Sequence, residues 1–549
     1  MSMAKRAHAY PQVSLAATDL VDVAIAAAPA GVGVAEALVL ARKRNAGLIV
    51  ARASYVLRDD LVRATSLGLG ALRAAQIARP LPAVDSGAGE VRVRRLLASG
   101  APLVVVRGPR GVTGAVSGRL AGLRLADASA AGRVGRGLPA HVRELLETIG
   151  RIAEEQDGRA YLVGGLVRDL WRGATPSRRD LDIVVEGDGP MLARRLAQAL
   201  GGSVVEHRRF LTASVDTPTF GRIDVATSRS ERYESPGALP RVLPAGIAED
   251  LRRRDFTVNA LAIELSSGDF GLIDPLGGRL DLARRRLRVL HPLSYVEDPT
   301  RIFRAARYAA RLGLSPDGAT TRAQALALRL VPYSALSGQR IAAELERIMS
   351  ESQARTILLR LGRSGAFRLL DPGYRFTAAS RHRLGALAET LAWARGHGLD
   401  VDAVGLTALA LADARPAAAA ALFARLGFAG GPLAILERAH SSSEALAARL
   451  AAAGAPSGRA CELRGCAPIE LAWLWLTGDR EVRATVDWFA GLDPRVVSLS
   501  GDDVVALGVP RGPAVARVLA EMRDARLDGT LASRAMEEAH VRQWIAKGG

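Results

Sequence analysis

The sequence predicts a multidomain α+β protein whose C-terminal half is all helix. Three observations predict it. The chain has 549 residues, too many for one ordinary core, and a length of this size suggests roughly three or four domains. Strand-like and helix-like runs alternate up to about residue 278. Beyond about residue 279 strand signals nearly vanish, and Ala/Leu/Arg segments with helical spacing continue to the end, punctuated by Gly and Pro.

The elements follow in order. Residues 10 to about 125 read as two similar halves, each a helix-like run followed by a strand. An alanine-rich stretch leads to Gly47-Leu48-Ile49-Val50, and Val91 to Ser99 leads to Pro102-Leu103-Val104-Val105-Val106. The polar, Gly-containing stretch from Asp127 to Gly137 reads as a linker, and a new domain is expected to begin near residue 138 with a helix from His141 to Gln156. From Tyr161 to about Ser266 the order is strand, tight Gly turn, helix, strand, helix, then several strands, which describes a small mixed α/β domain.

Composition narrows the setting. Hydrophobic residues at 49% and charged residues at 24% match folded soluble proteins, and no segment approaches twenty uninterrupted apolar residues, which argues against a membrane span. Lys5 and Arg6 are followed by no apolar signal core, so the expected location is the cytoplasm. The net charge of +18 is carried almost entirely by arginine, with lysine only at Lys5, Lys43 and Lys547. A polyanionic partner is the natural inference, set against an arginine-rich genome that inflates the charge. Cys461 and Cys466 lack companions for a structural zinc site and read as reduced core thiols.

The chemistry concentrates in the mixed domain. In Tyr161-Leu162-Val163-Gly164-Gly165-Leu166-Val167-Arg168-Asp169 a strand runs into two glycines and then a helix, so backbone N–H groups can approach a phosphate chain without Cβ obstruction. A purely structural tight turn is the alternative. In Arg179-Asp180-Leu181-Asp182-Ile183-Val184-Val185, strand alternation places Asp180 and Asp182 on one face and Leu181 and Ile183 on the other. Two such carboxylates can hold divalent cations, which remove their mutual repulsion. A solvated strand face with arginine partners is the competing reading. Asp224, within Arg222-Ile223-Asp224-Val225, can complete the metal site or accept the attacking hydroxyl's proton, or instead form a surface ion pair.

These residues resemble the class II tRNA nucleotidyltransferases and bacterial poly(A) polymerases, a branch of the DNA polymerase β-like superfamily. Gly164-Gly165-Leu166-Val167-Arg168-Asp169 looks like the family's GGxVRD element, and Asp180-Leu181-Asp182 like its metal-binding DxD. Asp250-Leu251-Arg252-Arg253-Arg254-Asp255-Phe256-Thr257-Val258-Asn259-Ala260 resembles RRDFTxNA, and Asp274-Pro275-Leu276-Gly277-Gly278 resembles DPxGG. Glu297-Asp298-Pro299-Thr300-Arg301 looks like EDxxR. In that family the Asp and Arg of this element bind the Watson–Crick edge of the incoming base. The spacing puts Asp298 and Arg301 on one helix face, and a carboxylate with a guanidinium suits cytosine and adenine. Taken alone, EDxxR reads as a surface salt bridge.

The resemblance implies a polymerase β-like head at 138–278, a helical neck with the base-selecting motif at 279–352, and a helical body and tail at 353–549 that binds tRNA. It implies catalytic Asp180, Asp182 and Asp224, with magnesium (Mg2+) held by Asp180 and Asp182. It gives nucleotide contacts to Gly164, Gly165, Arg168, Arg254, Asn259, Asp298, Arg301 and Arg304. The implied activity is template-free transfer from CTP and ATP to the tRNA 3′ end, adding C and A, CC alone or the terminal A alone. Poly(A) synthesis is the rival. Glu206-His207 replaces the hydrophobe and Gly of that rival's signature, and Ser500-Gly501-Asp502-Asp503 to Val509 resembles the tail of tRNA-type members. A non-catalytic adenine-nucleotide sensor that binds RNA is the third reading. Arginine-rich helices such as Arg301 to Arg311 are candidates for acceptor-stem phosphates. A flexible loop between Arg229 and Asp250 is expected to govern the order of C and A.

Residues 1–125 resemble a pair of CBS domains, and a homodimer through this pair is a further expectation. Each repeat keeps half of the Ser/Thr-x-x-Asp ribose pair: Leu57 precedes Asp60, and Ser117 is followed by Leu120.

Overall fold

The protein is described here by a computed structural model, which covers residues 15–118, 124–125, 128–174, 181–266, 270–493 and 495–548. The chain divides into two compact units, Met1–Leu336 and Ser337–Gly549.

The first unit opens with two copies of one pattern. In the first copy β1 (Ile25–Ala27) runs parallel to β2 (Leu48–Ala51), which pairs antiparallel with β3 (Ser54–Leu57). A parallel pair needs a crossover, supplied by α1 (Val34–Lys43), and α2 (Arg58–Ser66) follows. Val34, Ala37, Leu38 and Ala41 make one buried stripe on α1. The second copy repeats the order with β4 (Ala83–Asp85), α3 (Glu90–Ala98), β5 (Leu103–Gly108) and β6 (Gly111–Ser117). Leu48 and Tyr55 share a core with Leu103, Val105 and Ala115, so the two copies pack as one body.

After β7 (Arg124–Leu125) the chain forms α4 (Ala128–Gly137), where the sequence suggested a linker. Glycine weakens helix propensity, but burial overrides it. Val134 and Leu138 enter the core, and the Arg133 guanidinium stands 4.6 Å over the Trp171 ring.

An eight-stranded sheet then forms, in the order β10-β11-β12-β9-β8-β15-β16-β7. Its strands are β8 (Arg159–Val163), β9 (Leu181–Glu186), β10 (Ser203–His207), β11 (Thr212–Thr217), β12 (Gly221–Thr227), β15 (Ala262–Glu264) and β16 (Leu272–Ile273), with β7 at one edge. Helices α5 (Ala140–Glu154), α6 (Gly165–Arg172) and α7 (Gly189–Leu200) supply Leu146, Ile149, Val167, Leu192 and Leu196 to a core with Leu162, Leu181, Ile183, Ile223 and Val225. The opposite face buries Tyr161, Val163 and Val184 against Ile247 and Leu251 of α8 (Ile247–Arg252). The segment expected to be a loop, residues 229 to 250, holds an antiparallel hairpin of β13 (Arg229–Arg232) and β14 (Arg241–Pro244) before α8.

The unit ends with α9 (Gly278–Ala283), the short parallel pair β17 (Arg286–Leu287) and β18 (Ser315–Pro316), and helices α10 (Ser294–Glu297), α11 (Thr300–Leu312) and α12 (Gly318–Arg329). The second unit holds helices and no strand among the described residues, from α13 (Gly338–Met349) to α24 (Arg534–Ala546). Its cores include Leu450, Leu463, Leu474 and Val486 in one cluster and Val504, Val518, Met522 and Val541 in another. Cys461 is exposed rather than a core thiol, because its helix buries Ala460 and Leu463 instead; Cys466 is half-buried, and both are unbridged. Among the described residues no helix is long and apolar enough to cross a membrane.

Candidate active site

Strands β9 and β12 lie side by side and parallel, pairing Leu181 with Ile223, Asp182 with Asp224 and Ile183 with Val225. The four apolar residues are at most 2% exposed and point into the core under α5 and α7. Alternation then sends Asp182 and Asp224 together to the opposite face, on strands ~4.8 Å apart. Asp224 Oδ1 accepts the Ser214 hydroxyl at 2.6 Å and Arg222 Nε at 2.9 Å, so it both faces Asp182 and carries an arginine ion pair. Asp180 lies outside the described residues.

The turn after β8 closes on this pair. Val163 is opposite Asp182, and Gly164 follows with φ +79° and ψ −143°, a conformation that glycine alone adopts readily. A Cβ on Gly164 would stand 2.8 Å from Asp182 Oδ2. Gly165 begins α6, so the helix N-terminus opens beside the carboxylate.

A buried polar chain runs from there. Arg168 is 2% exposed; its Nε and Nη2 bond Asp169 at 2.9 and 3.0 Å, and its Nη1 donates to Asn259 Oδ1 at 2.8 Å. Asn259 Nδ2 donates to Asp255 Oδ1 at 3.0 Å, and Asp255 Oδ2 accepts from Arg304 Nε and Nη2 at 3.0 and 2.7 Å. Burial raises the Asp255 pKa, but Arg304, Asn259 and Arg301 outweigh it and hold the carboxyl below the usual range. Arg254 Nη2 bonds Asp250 Oδ2 at 2.9 Å, while Arg253 takes Asp250 Oδ1 at 2.7 Å and Glu231 Oε1 at 2.7 Å. Asp250 is fully buried, and the two guanidiniums overcome its desolvation to keep its pKa low. Asp250 and Asp255 lie in the stretch that resembles RRDFTxNA, but the sequence assigns neither a role of its own. The available signal was an acid beside an arginine run in an apolar segment, which if buried must be paired.

The segment from Glu297 to Arg301 departs from the expected helix. Asp298 is extended, with φ −134° and ψ 94°, between α10 and α11. The reason is Pro299, which pushes the preceding residue out of the α region. Asp298 Oδ1 instead accepts from Thr300 N at 3.1 Å and Thr300 Oγ1 at 2.6 Å, at the head of α11. Arg301 is 5% exposed and donates to Ser294 Oγ at 2.8 Å and to the Arg253 carbonyl at 2.9 Å. Glu297, 3% exposed, has Arg63 Nη1 at 2.5 Å and His291 Nε2 at 3.2 Å. This burial replaces the surface salt bridge. Along α11, Arg307 is also buried, and Arg304, Arg307 and Arg311 gather over the Tyr308 ring at 5.1 to 5.6 Å.

Among the described residues no group of three or more His, Cys, Asp or Glu is placed to hold a metal. Asp182 and Asp224 are nonetheless paired hard-oxygen donors, the type magnesium takes, and the missing Cβ at Gly164 leaves room at Asp182 Oδ2. The donor set fits a divalent cation.

A family described as the poly A polymerase head domain matches residues 160–288. The A-adding tRNA nucleotidyltransferase of Geobacter sulfurreducens is 33% identical over 419 residues, covering 73% of this chain and 46% of that protein. The chain thus spans about half or less of the length of the A-adding relatives it matches. The CC-adding tRNA nucleotidyltransferase of Deinococcus radiodurans is 36% identical over 392 residues, covering 71% of this chain and 90% of that protein. The solved structure of the Thermotoga maritima CCA-adding enzyme complexed with tRNA superposes with a TM-score of 0.63 at 25% identity, covering 76% of this chain and 98% of that one. Since the likeness takes in nine-tenths of the Deinococcus protein and the matched head contains both acid-bearing strands, the chain belongs to the tRNA nucleotidyltransferase family.

Proposed function

We propose that this protein extends the 3′ end of tRNA without a template, adding C and A or the terminal A from CTP and ATP. The observation that carries the reading is the register of Asp182 with Asp224 against the Gly164 turn. The names of the relatives, A-adding and CC-adding tRNA nucleotidyltransferase, support the substrate class.

The tRNA 3′ hydroxyl attacks the α-phosphate and pyrophosphate leaves. Magnesium, held by Asp182 together with Asp180, would stabilise the attacking and leaving oxygens. In this reading Asp224 completes the metal site or takes the hydroxyl proton. Backbone N–H groups at Gly164 and Gly165 meet the triphosphate at the start of α6. Arg168, Arg254, Asn259 and Arg304 line the nucleotide side, fixed by Asp169, Asp250 and Asp255. Asp298 and Arg301 read the base edge.

In this reading 138–278, extended back through α4, is the head; 279–352 is the neck; and 353–549 is the body and tail, which grips tRNA in the cytoplasm. The two N-terminal copies are read as the CBS-like pair, with a structural, dimerising or regulatory role. Asp60 is already bidentate with Arg79, and Ser117 is bonded to Asp22, so the residues left from the ribose pair are engaged.

The test supplies purified protein with tRNA transcripts ending before CCA, after C, or after CC, each with single labelled nucleotides. C followed by A establishes CCA addition. A on the CC-ended transcript alone establishes an A-adding specialist. Long A tails on unrelated RNA overturn the reading in favour of poly(A) synthesis, and no incorporation overturns both.

A further inference from the structure

Glu297 adjoins Asp298 and is almost fully buried, so its charge must be met within the protein. His291 Nε2 lies 3.2 Å away, but burial and the neighbouring Arg63 push the His291 pKa down to about 4, so the ring is neutral near pH 7. Arg301 acts on Glu297 as well, yet its guanidinium is directed to Ser294 and the Arg253 carbonyl. Arg63, at 2.5 Å, is therefore the cation in direct ion-pair contact, and it comes from α2 of the first repeat, 234 residues earlier in the chain.

The repeats are held firmly against this region. Arg79, fixed by Asp60, donates to the Leu290 carbonyl at 2.8 Å. The backbones of Ser99-Gly100 and Leu276-Gly277 pass so closely that a Cβ on Gly100 would stand 2.0 Å from the Leu276 carbonyl oxygen, and one on Gly277 would stand 2.2 Å from that of Ser99. The repeat pair that carries the Arg63 helix is thus docked at several points rather than resting on one ion pair.

We propose that Arg63 is a positioning residue for nucleotide selection: the N-terminal repeat, through Glu297, fixes the segment that carries Asp298 and Arg301. The proposal rests on the reading of those two residues as the base-recognising pair. Without Arg63 the buried Glu297 carboxylate turns to Arg301, drawing that guanidinium out of place. Base discrimination then loosens while chemistry at Asp182 continues.

The experiment uses the full chain with Arg63→Met, Arg63→Lys, Glu297→Gln and Asp298→Ala, measuring KM and kcat for CTP and ATP on tRNA and misincorporation of UTP and GTP. Arg63→Met should raise KM for the accepted nucleotide about tenfold and raise misincorporation, with kcat at saturation within about twofold of the parent. Arg63→Lys should recover much of the loss, and Arg63→Met should add nothing in the Glu297→Gln background. If folded Arg63→Met keeps parental KM and discrimination, the proposal is wrong, whatever its melting temperature. Should Arg63→Met not fold, Glu297→Gln must itself raise KM and misincorporation, and parental values there overturn the idea. Asp298→Ala separates the two layers. If it leaves discrimination intact, the base-recognition reading falls and the proposal with it; if it abolishes discrimination while Arg63→Met keeps parental KM and misincorporation, the proposal alone falls.

Discussion

Replacing Gly164 with alanine tests how the turn after β8 orients the acid beside it. Two effects combine. The backbone at φ +79° and ψ −143° is disfavoured for an L side chain by about 1–3 kcal/mol. The new Cβ also meets Asp182 Oδ2 at 2.8 Å, well inside ordinary van der Waals contact, so the carboxylate must swing away or the turn must open. If about 3 kcal/mol of transition-state stabilisation is lost with that movement, kcat falls roughly 100-fold. The assay is single-turnover incorporation of labelled ATP on CC-ended tRNA, paired with thermal melting. Gly173→Ala is the control, because Gly173 also has positive φ, +69°, at the end of α6 but, among the described residues, nothing within 4 Å of its would-be Cβ. That variant should lose about 1 kcal/mol of stability and keep its turnover. A Gly164→Ala protein that melts lower yet turns over like the Gly173→Ala protein would refute the claim that this glycine shapes the acid pair.

Asp182→Asn should lower incorporation at least ~1,000-fold while tRNA affinity, read by filter binding, changes little; near-normal turnover removes Asp182 from the mechanism. Asp255→Ala removes the carboxylate that Arg304 and Asn259 share, so urea melts should show a loss of about 3 kcal/mol, the scale of breaking a buried pair; a loss within experimental error would mean the network relaxes freely. For pH, His291 is depressed from 6.5 to about 4, so its stabilising contribution is complete above pH 6.5 and is lost as pH falls towards 4. Burial raises Glu297, but His291, Arg63 and Arg301 hold it at about 2, so its contribution is present above 4.5 and is lost between 4.5 and 2. Melting temperature should therefore begin to drop below pH 6.5, and His291→Gln should flatten the upper part of that decline; an identical profile in both proteins would contradict the assignment.

The division between what the residues disclose and what they hide follows the range of each interaction. Period-two alternation is local, so it placed Leu181 and Ile183 inward and Asp182 outward, as the sheet has them. The same rule gave Asp224 its face but not its neighbour. β12 reaches β9 only after α7, β10 and β11 have intervened, and strand order is a property of the whole sheet. Propensity alone made a linker of residues 127 to 137, whereas burial of Val134 makes 128 to 137 a helix. The extended backbone at Asp298 is locally legible, since Pro299 follows it, whereas helical spacing alone predicts one continuous face through it. No local rule reaches the Arg63 to Glu297 pair. Each residue, read alone, is a charge on a helix, and only the docking of the repeat turns one into a buried acid and the other into its counterion. The residues proposed to touch the nucleotide lie in short motifs, because their spacing is fixed by one strand or one turn. The residues that hold them in place are dispersed, because any element that packs behind the site can supply the charge.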